Sequence, residues 1–317
     1  MSGTTQETNS TATAELQLLY TTTVGPEQID ALGHMNVRFY GVHALAGARV
    51  LHERLGLPGS AGEGNATHTT FIDLYTRHYF EQLEGAPLEV WGGVLEISET
   101  EIRMYYELRN PVLENFGATF VFTAQLQDGA THSATPLTPE IIDAAQAAAI
   151  DWPEHGQPRS IDLNSTPKDL TLDDVQGLNI QNRDERLIED RHCDSTGVYN
   201  INSFQDLIWG SEGISDEEDW LRTLGNGDRM GFATMESRCS LVKLPSAGTR
   251  VQSFRATIDM TKKVQHEIFW VFDLDTGDLI CTASFVDVAF NISTRKAIEI
   301  PDFEVKRIME HYHPELG

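Results

Sequence analysis

Hydrophobic and polar residues alternate along several stretches of the chain, and one stretch has helical spacing instead. Alternation over residues 15–24 predicts a first strand. Apolar residues then recur at helical intervals from Val37 to Leu55, and Gly56 follows, so we expect a helix that ends there. Further alternation predicts a meander of four strands, over residues 69–80, 88–99, 101–109 and 117–127.

The same order of elements returns in the second half. A strand is predicted over residues 186–192, then a helix from Ile201 through Trp220 and Leu224, interrupted near residues 210–215. Four strands are predicted over residues 230–244, 249–261, 264–275 and 279–291. Seven residues between positions 71 and 100 are identical to the residue 161 positions later, as Arg77 is to Arg238. Average residue usage predicts about two such identities, so we infer an internal duplication.

These patterns divide the chain into four parts. Residues 1–14 are rich in Ser, Thr, Gly and Ala and are expected to be disordered. Residues 15–130 form a predicted first domain and residues 186–317 a predicted second domain. Residues 131–185 are rich in Pro, Asp and polar side chains, apart from a helix predicted over residues 139–149. We expect them to connect the two domains.

Charge and composition exclude some classes of partner. The chain of 317 residues has 48 Asp and Glu against 23 Lys and Arg, a formal net charge of −25. Such a chain repels nucleic acid and anionic membranes, so neither is expected as a partner. With no long apolar run and no leader pattern, we expect a soluble cytoplasmic protein. The three cysteines have no metal-ligand spacing, so no metal site or disulfide framework is predicted.

Residues 29–36, between the first strand and the helix, gather side chains that can take part in chemistry. Asp30 and His34 can accept or donate protons, and Gly33 lets the backbone turn tightly. Asn36 can cap the helix that follows. Because backbone N–H groups point out of a helix N-terminus, this position favours developing negative charge. The same residues also suit a plain capped loop, in which Asp30 only holds the turn.

Residues 30–40 read Asp-x-x-Gly-His-Met-Asn-Val-x-x-Tyr, which resembles the signature of hotdog-fold acyl-CoA thioesterases of the 4-hydroxybenzoyl-CoA thioesterase type. The resemblance implies an α+β fold in which an antiparallel sheet wraps a long helix. Combined with the duplication, it implies two tandem hotdog domains packed as an intramolecular pseudo-dimer. Asp194, Gly197 and Asn200 keep the frame in the second half, but Val198 stands at the position of His34.

The resemblance also implies an activity, the hydrolysis of an acyl-CoA thioester to free acid and CoA. Asp30 would be the base or nucleophile, with Asp194 as its counterpart at a shared cleft, and amides near Asn36 would polarise the carbonyl. His34 would orient water or donate a proton, and Asn36 would position the substrate. No cofactor is expected beyond the CoA of the substrate, and the pseudo-dimers can assemble into a homo-oligomer. The predicted substrate-binding residues are Gly33, Val37, Tyr40, Gly197, Asn200, Arg77 and Arg238.

Several alternatives stay open at the level of sequence. Asp30 and Asp194 can serve only to hold their turns, and Asn36 only to cap the helix. Arg77 and Arg238 can bind CoA phosphates or form structural ion pairs. The whole chain can be a non-catalytic acyl-CoA-binding protein, because its second half departs from the signature. An enoyl-CoA hydratase-like enzyme is a further alternative, although the Asp and His pattern of that branch is not found here.

Overall fold

The structure, a computed structural model, describes residues 14–59, 66–165, 168–182, 185–194, 197–209 and 221–317. The helices within these ranges are α1 Val37–Leu55, α2 Pro139–Ala147, α3 Leu172–Gly177, α4 Phe204–Trp209 and α5 Asp302–Met309. The strands are β1 Gln17–Thr23, β2 Thr67–His78, β3 Pro87–Ile97, β4 Glu101–Asn110, β5 Asn115–Asp128, β6 Gln181–Asn182, β7 Arg186–Leu187, β8 Arg222–Thr223, β9 Arg229–Leu241, β10 Arg250–Met260, β11 Val264–Asp273, β12 Leu279–Asn291 and β13 Lys296–Ala297. None of the described helices is long and apolar enough to cross a membrane.

All thirteen described strands belong to one antiparallel sheet. Its main order is β1-β3-β4-β5-β2-β9-β12-β11-β10-β6, so the strands of the first half lie on one side and those of the second half on the other. The junction is the pairing of β2 with β9. The two halves therefore share a continuous hydrogen-bonded sheet, and neither half leaves its long β2 or β9 edge open.

Pairing at the junction shows how the two halves correspond. Tyr75 lies opposite Arg238, and on either side of this pair Asp73 faces Ser240 and Arg77 faces Glu236. This register is symmetric for a displacement of 163 residues, the separation of Tyr75 and Arg238. The other strand pairs keep the same displacement, as in the pairing of β3 with β4 and of β10 with β11.

The displacement of 161 residues inferred from sequence identities is therefore wrong by two. Arg77 and Arg238 are not equivalent, because Arg238 corresponds to Tyr75. The error has a physical origin. Side chains of a strand alternate with period two, so a shift of two residues leaves every side chain on its own face. The hydrophobic pattern cannot distinguish these two registers.

Helix α1 has the bounds predicted from its sequence pattern. Asn36 caps its start with a side-chain oxygen that accepts from the Arg38 N–H, and Gly56 ends it in the left-handed conformation with φ 74°. The helix packs on one face of the first-half strands, which we call the inner face. Its small residues allow close approach: a Cβ on Gly47 would lie 2.4 Å from Val90 Cγ1 of β3. The opposite, outer face carries a separate cluster around Tyr75 and Tyr105.

The second half contains less regular structure before β9 than predicted. Strand β7 covers Arg186–Leu187, and a 3-10 helix at Asp190–His192 replaces the rest of the predicted strand. The predicted helix begins as a 3-10 turn at Ile201–Ser203 and continues as α4. The prediction that it extends through Leu224 is wrong, because β8 pairs with β9 and the tight turn at Gly227, with φ 86°, closes that hairpin.

The remaining predictions for this stretch, including Trp220, lie outside the described residues, as does nearly all of the predicted disordered tail.

The segment between the halves contains structure that also occurs near the end of the chain. After α2, Ala149 forms a parallel bridge with Val94 of β3, and after α5, Tyr312 forms one with Thr257 of β10. Both bridges fit the displacement of 163 residues. Residues 150–163 then cross the outer face, where Ile161 is buried against the sheet.

Candidate active site

The loop before α1 is a tight turn closed by its own backbone. The Asp30 N–H donates to the His34 carbonyl at 2.9 Å, and the Gly33 N–H donates to the Asp30 carbonyl at 3.0 Å. Gly33 has a φ of 82°, in the left-handed region that favours glycine. The loop thus presents Asp30 and His34 beside the first turn of α1, where Val37 is the first helical residue.

The side chains of Asp30 and His34 contact each other. Asp30 Oδ1 accepts from the Leu32 N–H at 2.8 Å, and its Oδ2 lies 3.3 Å from His34 Nδ1. On the other side of the ring, His34 Nε2 lies 3.5 Å from Oε1 of Glu81. The imidazole therefore lies between two carboxylates. Asp30 and His34 are mostly buried, with side-chain exposures of 22% and 16%, while Glu81 is half exposed.

Arg295 completes this arrangement from the second half. Its Nη1 lies 2.7 Å from Glu81 Oε1, and its Nη2 donates to the Leu32 carbonyl at 2.7 Å. Arg295 lies in the turn after β12 and adopts a left-handed φ of 53°. Sequence reasoning missed both Glu81 and Arg295. No local spacing relates them to Asp30, since only the fold brings together residues this far apart in the chain.

Tyr40 supports the segment that carries Glu81. Its hydroxyl accepts from the Gln82 N–H at 3.0 Å and donates to the Phe80 carbonyl at 3.3 Å. Burial raises the pKa of Tyr40 well above its ordinary value, so the phenol stays protonated. The structure thus places Tyr40 beneath the site as a positioning residue. A contact with substrate stays a prediction, as it does for Gly33, Asn36 and Val37.

The corresponding loop in the second half has the same backbone but not the same side chains. The Asp194 N–H donates to the Val198 carbonyl at 2.8 Å, and Gly197 has a φ of 79°. The oxygen of Asn200 accepts from the Asn202 N–H, as Asn36 does in the first loop. The charged groups differ, because Val198, Leu244 and His132 correspond to His34, Glu81 and Arg295. The arrangement around Asp30 is therefore specific to the first loop.

The two loops lie at different ends of the contact between α1 and α4. Arg38, in the first turn of α1, is 3.7 Å from Asp206, whereas Arg49 donates to Asn202 at 2.9 Å. The two chain segments are therefore antiparallel, and Arg38 and Arg49 are ~16 Å apart along the axis of α1. The expectation that Asp30 and Asp194 face one shared cleft is wrong for this reason.

Arg77 and Arg238 lie on the outer face, away from both loops. Arg77 Nη1 donates to the carbonyls of His155 and Gln157, at 3.1 and 2.8 Å. Arg238 binds Asp73 Oδ2 at 2.8 Å and the Ser165 carbonyl at 2.7 Å. The two guanidinium groups hold the segment that crosses the sheet, and this is the structural alternative rather than the binding of CoA phosphates beside Asp30. Among the described residues, no group of three or more His, Cys, Asp or Glu is placed to hold a metal ion.

This architecture is a hotdog-type fold, and it is shared with solved thioesterase structures. An acyl-ACP thioesterase from Bacteroides thetaiotaomicron is 12% identical, with a TM-score of 0.63 over 86% of this chain and 97% of that one. The 12:0-ACP thioesterase from Umbellularia californica is 11% identical, with a TM-score of 0.63 over 86% of this chain and 93% of that one. No protein-family model and no curated protein matches the chain. At these identities the similarity concerns the fold, and the predicted hotdog fold is confirmed.

Proposed function

We propose that the chain is a thioesterase that hydrolyses an acyl-CoA thioester to a free acid and CoA. In this proposal the two halves are tandem hotdog domains that pack as an intramolecular pseudo-dimer. The observation that supports it best is the Asp30 carboxylate, held beside His34 at the N-terminus of the long helix α1. A carboxylate base next to outward-pointing amides is the combination that acyl transfer from a thioester requires.

The geometry suits each step of such a reaction. Asp30 Oδ2 takes a proton from water, or attacks the carbonyl carbon itself, and the carbonyl oxygen gains negative charge. The amides of the first turn of α1, from Val37 onward, stabilise that charge. His34, within 3.3 Å of Asp30, orients the water or delivers a proton to the departing thiolate. The carbon–sulfur bond breaks, and the products are the acid and the CoA thiol.

We further propose that only the first loop is catalytic. Asp194 keeps the backbone position of Asp30, but Val198 provides no proton-transfer group beside it. The loop around Asp194 is then a structural counterpart, or a place that binds part of the substrate without cleaving it. The net charge of −25 disfavours an acyl carrier protein, which is itself acidic, so CoA is the preferred carrier.

Replacement of Asp30 by Asn tests this proposal, with Asp194→Asn as the matched control. A panel of acyl-CoA thioesters of different chain length is assayed with a thiol-detecting dye. We expect kcat to fall by about a thousandfold or more in Asp30→Asn with substrate binding retained, and Asp194→Asn to keep most of its activity. Binding of acyl-CoA by the wild type without thiol release would instead indicate the non-catalytic alternative. A hydration product without free thiol would indicate the hydratase alternative.

A further inference from the structure

The inner face of the second half is polar where the same face of the first half is apolar. At the positions of core residues of β3, β4 and β5, strands β10, β11 and β12 carry hydroxyl, amide and charged side chains, and all the first-half residues concerned are buried. The correspondences are Val90 with Ser253, Gly92 with Arg255, Val94 with Thr257, Ile102 with Gln265, Met104 with Glu267 and Ala124 with Asp287. We call these six second-half residues the polar cluster.

Most members of the polar cluster are bonded to one another. The Gln265 side-chain N–H groups donate to Thr257 Oγ1 and to Glu267 Oε1, both at 2.8 Å. Arg255 Nε lies 3.4 Å from Glu267 Oε1, and the same guanidinium also donates to Gln181. Arg255, Thr257, Gln265 and Glu267 line a cleft of about 220 Å³. The cluster is therefore organised around an open space.

Two members of the cluster are buried without a hydrogen-bond partner for one polar atom. Asp287 is 5% exposed, and its Oδ1 accepts no hydrogen bond. Ser253 is 1% exposed, and its hydroxyl has no partner. Burial, and then the neighbouring carboxylate of Glu267, raise the pKa of Asp287 to about 7. A buried polar atom left unpaired costs free energy, so these two groups point to a ligand that provides the missing bonds.

The polar cluster is connected to the Asp30 loop through β12. This strand runs from Asp287 to its end at Asn291, a distance of ~13 Å for four residues. The turn that follows carries Arg295, which contacts the Asp30 loop at Leu32. An acyl group whose thioester lies beside Asp30 can extend along this end of β12, with its far end at the polar cluster.

We propose that the polar cluster binds a hydroxyl group at the far end of the acyl chain, so that the substrates are ω-hydroxyacyl thioesters. This inference rests on the proposed thioesterase activity. A hydroxyl is both donor and acceptor, so it can donate to Asp287 Oδ1 and accept from the Ser253 hydroxyl. A plain hydrocarbon end leaves both atoms unpaired. An ammonium group would lie close to the Arg255 guanidinium, which opposes a second positive charge.

The test compares two substrates of equal length, ω-hydroxydecanoyl-CoA and decanoyl-CoA, in the wild type and in two variants. We expect the wild type to favour the hydroxylated substrate by about tenfold or more in kcat/KM, because a site built to hydrogen-bond a hydroxyl rejects the analogue that lacks it. Asp287→Ala and Ser253→Ala should each lower this ratio severalfold. The control is Asp73→Asn, which alters a buried carboxylate on the outer face and should leave the ratio unchanged.

The ratio is measured within one protein sample, so a partial loss of folded protein cancels. Should Asp287→Ala not fold, Ser253→Ala provides the same comparison. Equal rates or a preference for decanoyl-CoA in the wild type would overturn the inference, as would a ratio that neither variant changes. A preference for ω-aminodecanoyl-CoA would overturn it in favour of a cationic ligand. Cleavage of other acyl-CoA thioesters but of neither decanoyl substrate defeats this inference alone, whereas no thiol release from any thioester defeats the proposed function as well.

Discussion

His34 and Glu81 connect the candidate carboxylate to an arginine from the other half. An imidazole with both nitrogens near carboxylates is held in one orientation, and Arg295 in turn holds Glu81 and the Leu32 carbonyl. The Asp30 loop is therefore fixed from its outer side by a charged side chain as well as by its own backbone. The predicted signature residues form the near part of this arrangement, and Arg295 forms the far part.

Replacement of Arg295 by Ala should lower kcat by about tenfold to a hundredfold, because small displacements of a catalytic group strongly reduce rate. KM should change much less, since Arg295 contacts the loop and not the proposed reacting atoms. Steady-state kinetics on an acyl-CoA that the wild type cleaves would measure both constants. His132→Ala is the matched control, because His132 has the corresponding position and backbone φ of 55° in the first half. Equal kcat in Arg295→Ala and wild type would show that the loop needs no support from the second half.

Asp287 should make the stability of the protein depend on pH. Its pKa is raised to about 7 in the folded protein, against about 3.9 for an unfolded Asp, so the folded state holds the proton more tightly. The contribution of this group to the free energy of unfolding is therefore fully present below about pH 4 and is lost as the pH rises towards 7. Urea unfolding at several pH values would measure it.

Asp287→Asn, which cannot ionise, should show a smaller decrease in stability across this pH interval than the wild type. Identical pH profiles for the two proteins would contradict the role of this carboxyl group.

At the scale of elements, α1 is the part whose local sequence and final structure agree best. Its cap residue, its apolar spacing and its terminal glycine all lie within the helix or next to it, so local rules determine its bounds. Strand β12 likewise has the predicted bounds. The register of the repeat does not follow from local rules, because two registers that differ by two residues bury the same faces.

The contact of α1 with β3 leaves no room for a side chain at Gly47. Gly47→Ala should lower the free energy of unfolding by about 1–3 kcal/mol, because the added methyl would overlap Val90 and force the helix or the strand to move. Denaturant unfolding would measure the change. Gly177→Ala is a suitable control, since a Cβ there meets no atom within 4 Å. An unchanged or increased stability in Gly47→Ala would show that the helix can move away from the sheet without cost.

At the scale of the whole molecule, a buried carboxylate of the second half holds the crossing segment on the outer face. Glu236 is 3% exposed and accepts from the Tyr75 hydroxyl at 3.1 Å and from the N–H groups of Ser160 and Ile161 at 3.0 and 3.2 Å. It lies in β9 at the junction of the two halves. A single side chain therefore joins the first half, the second half and the segment between them.

Glu236→Ala should lower the free energy of unfolding by about 3 kcal/mol or more, because several buried donors would lose a charged acceptor at once. It should also speed proteolytic cleavage of the crossing segment, which limited proteolysis with mass spectrometry would locate. Glu99→Ala, at an exposed position, should stay within about 0.5 kcal/mol of the wild type. A Glu236→Ala variant as stable as Glu99→Ala would refute this assignment.

The sequence by itself determined the repeated order of strand, helix and meander, the bounds of α1, and the loop that presents Asp30 and His34. These features depend on periodicity, capping and turn chemistry, which act between residues close in the chain. Only the tertiary structure decided that Arg295 joins the Asp30 loop, that Arg77 lies on the other face, and that the second half has a polar interior. Those contacts join residues far apart in sequence, and their partners depend on sheet register and on the packing of the two halves, which no local spacing encodes.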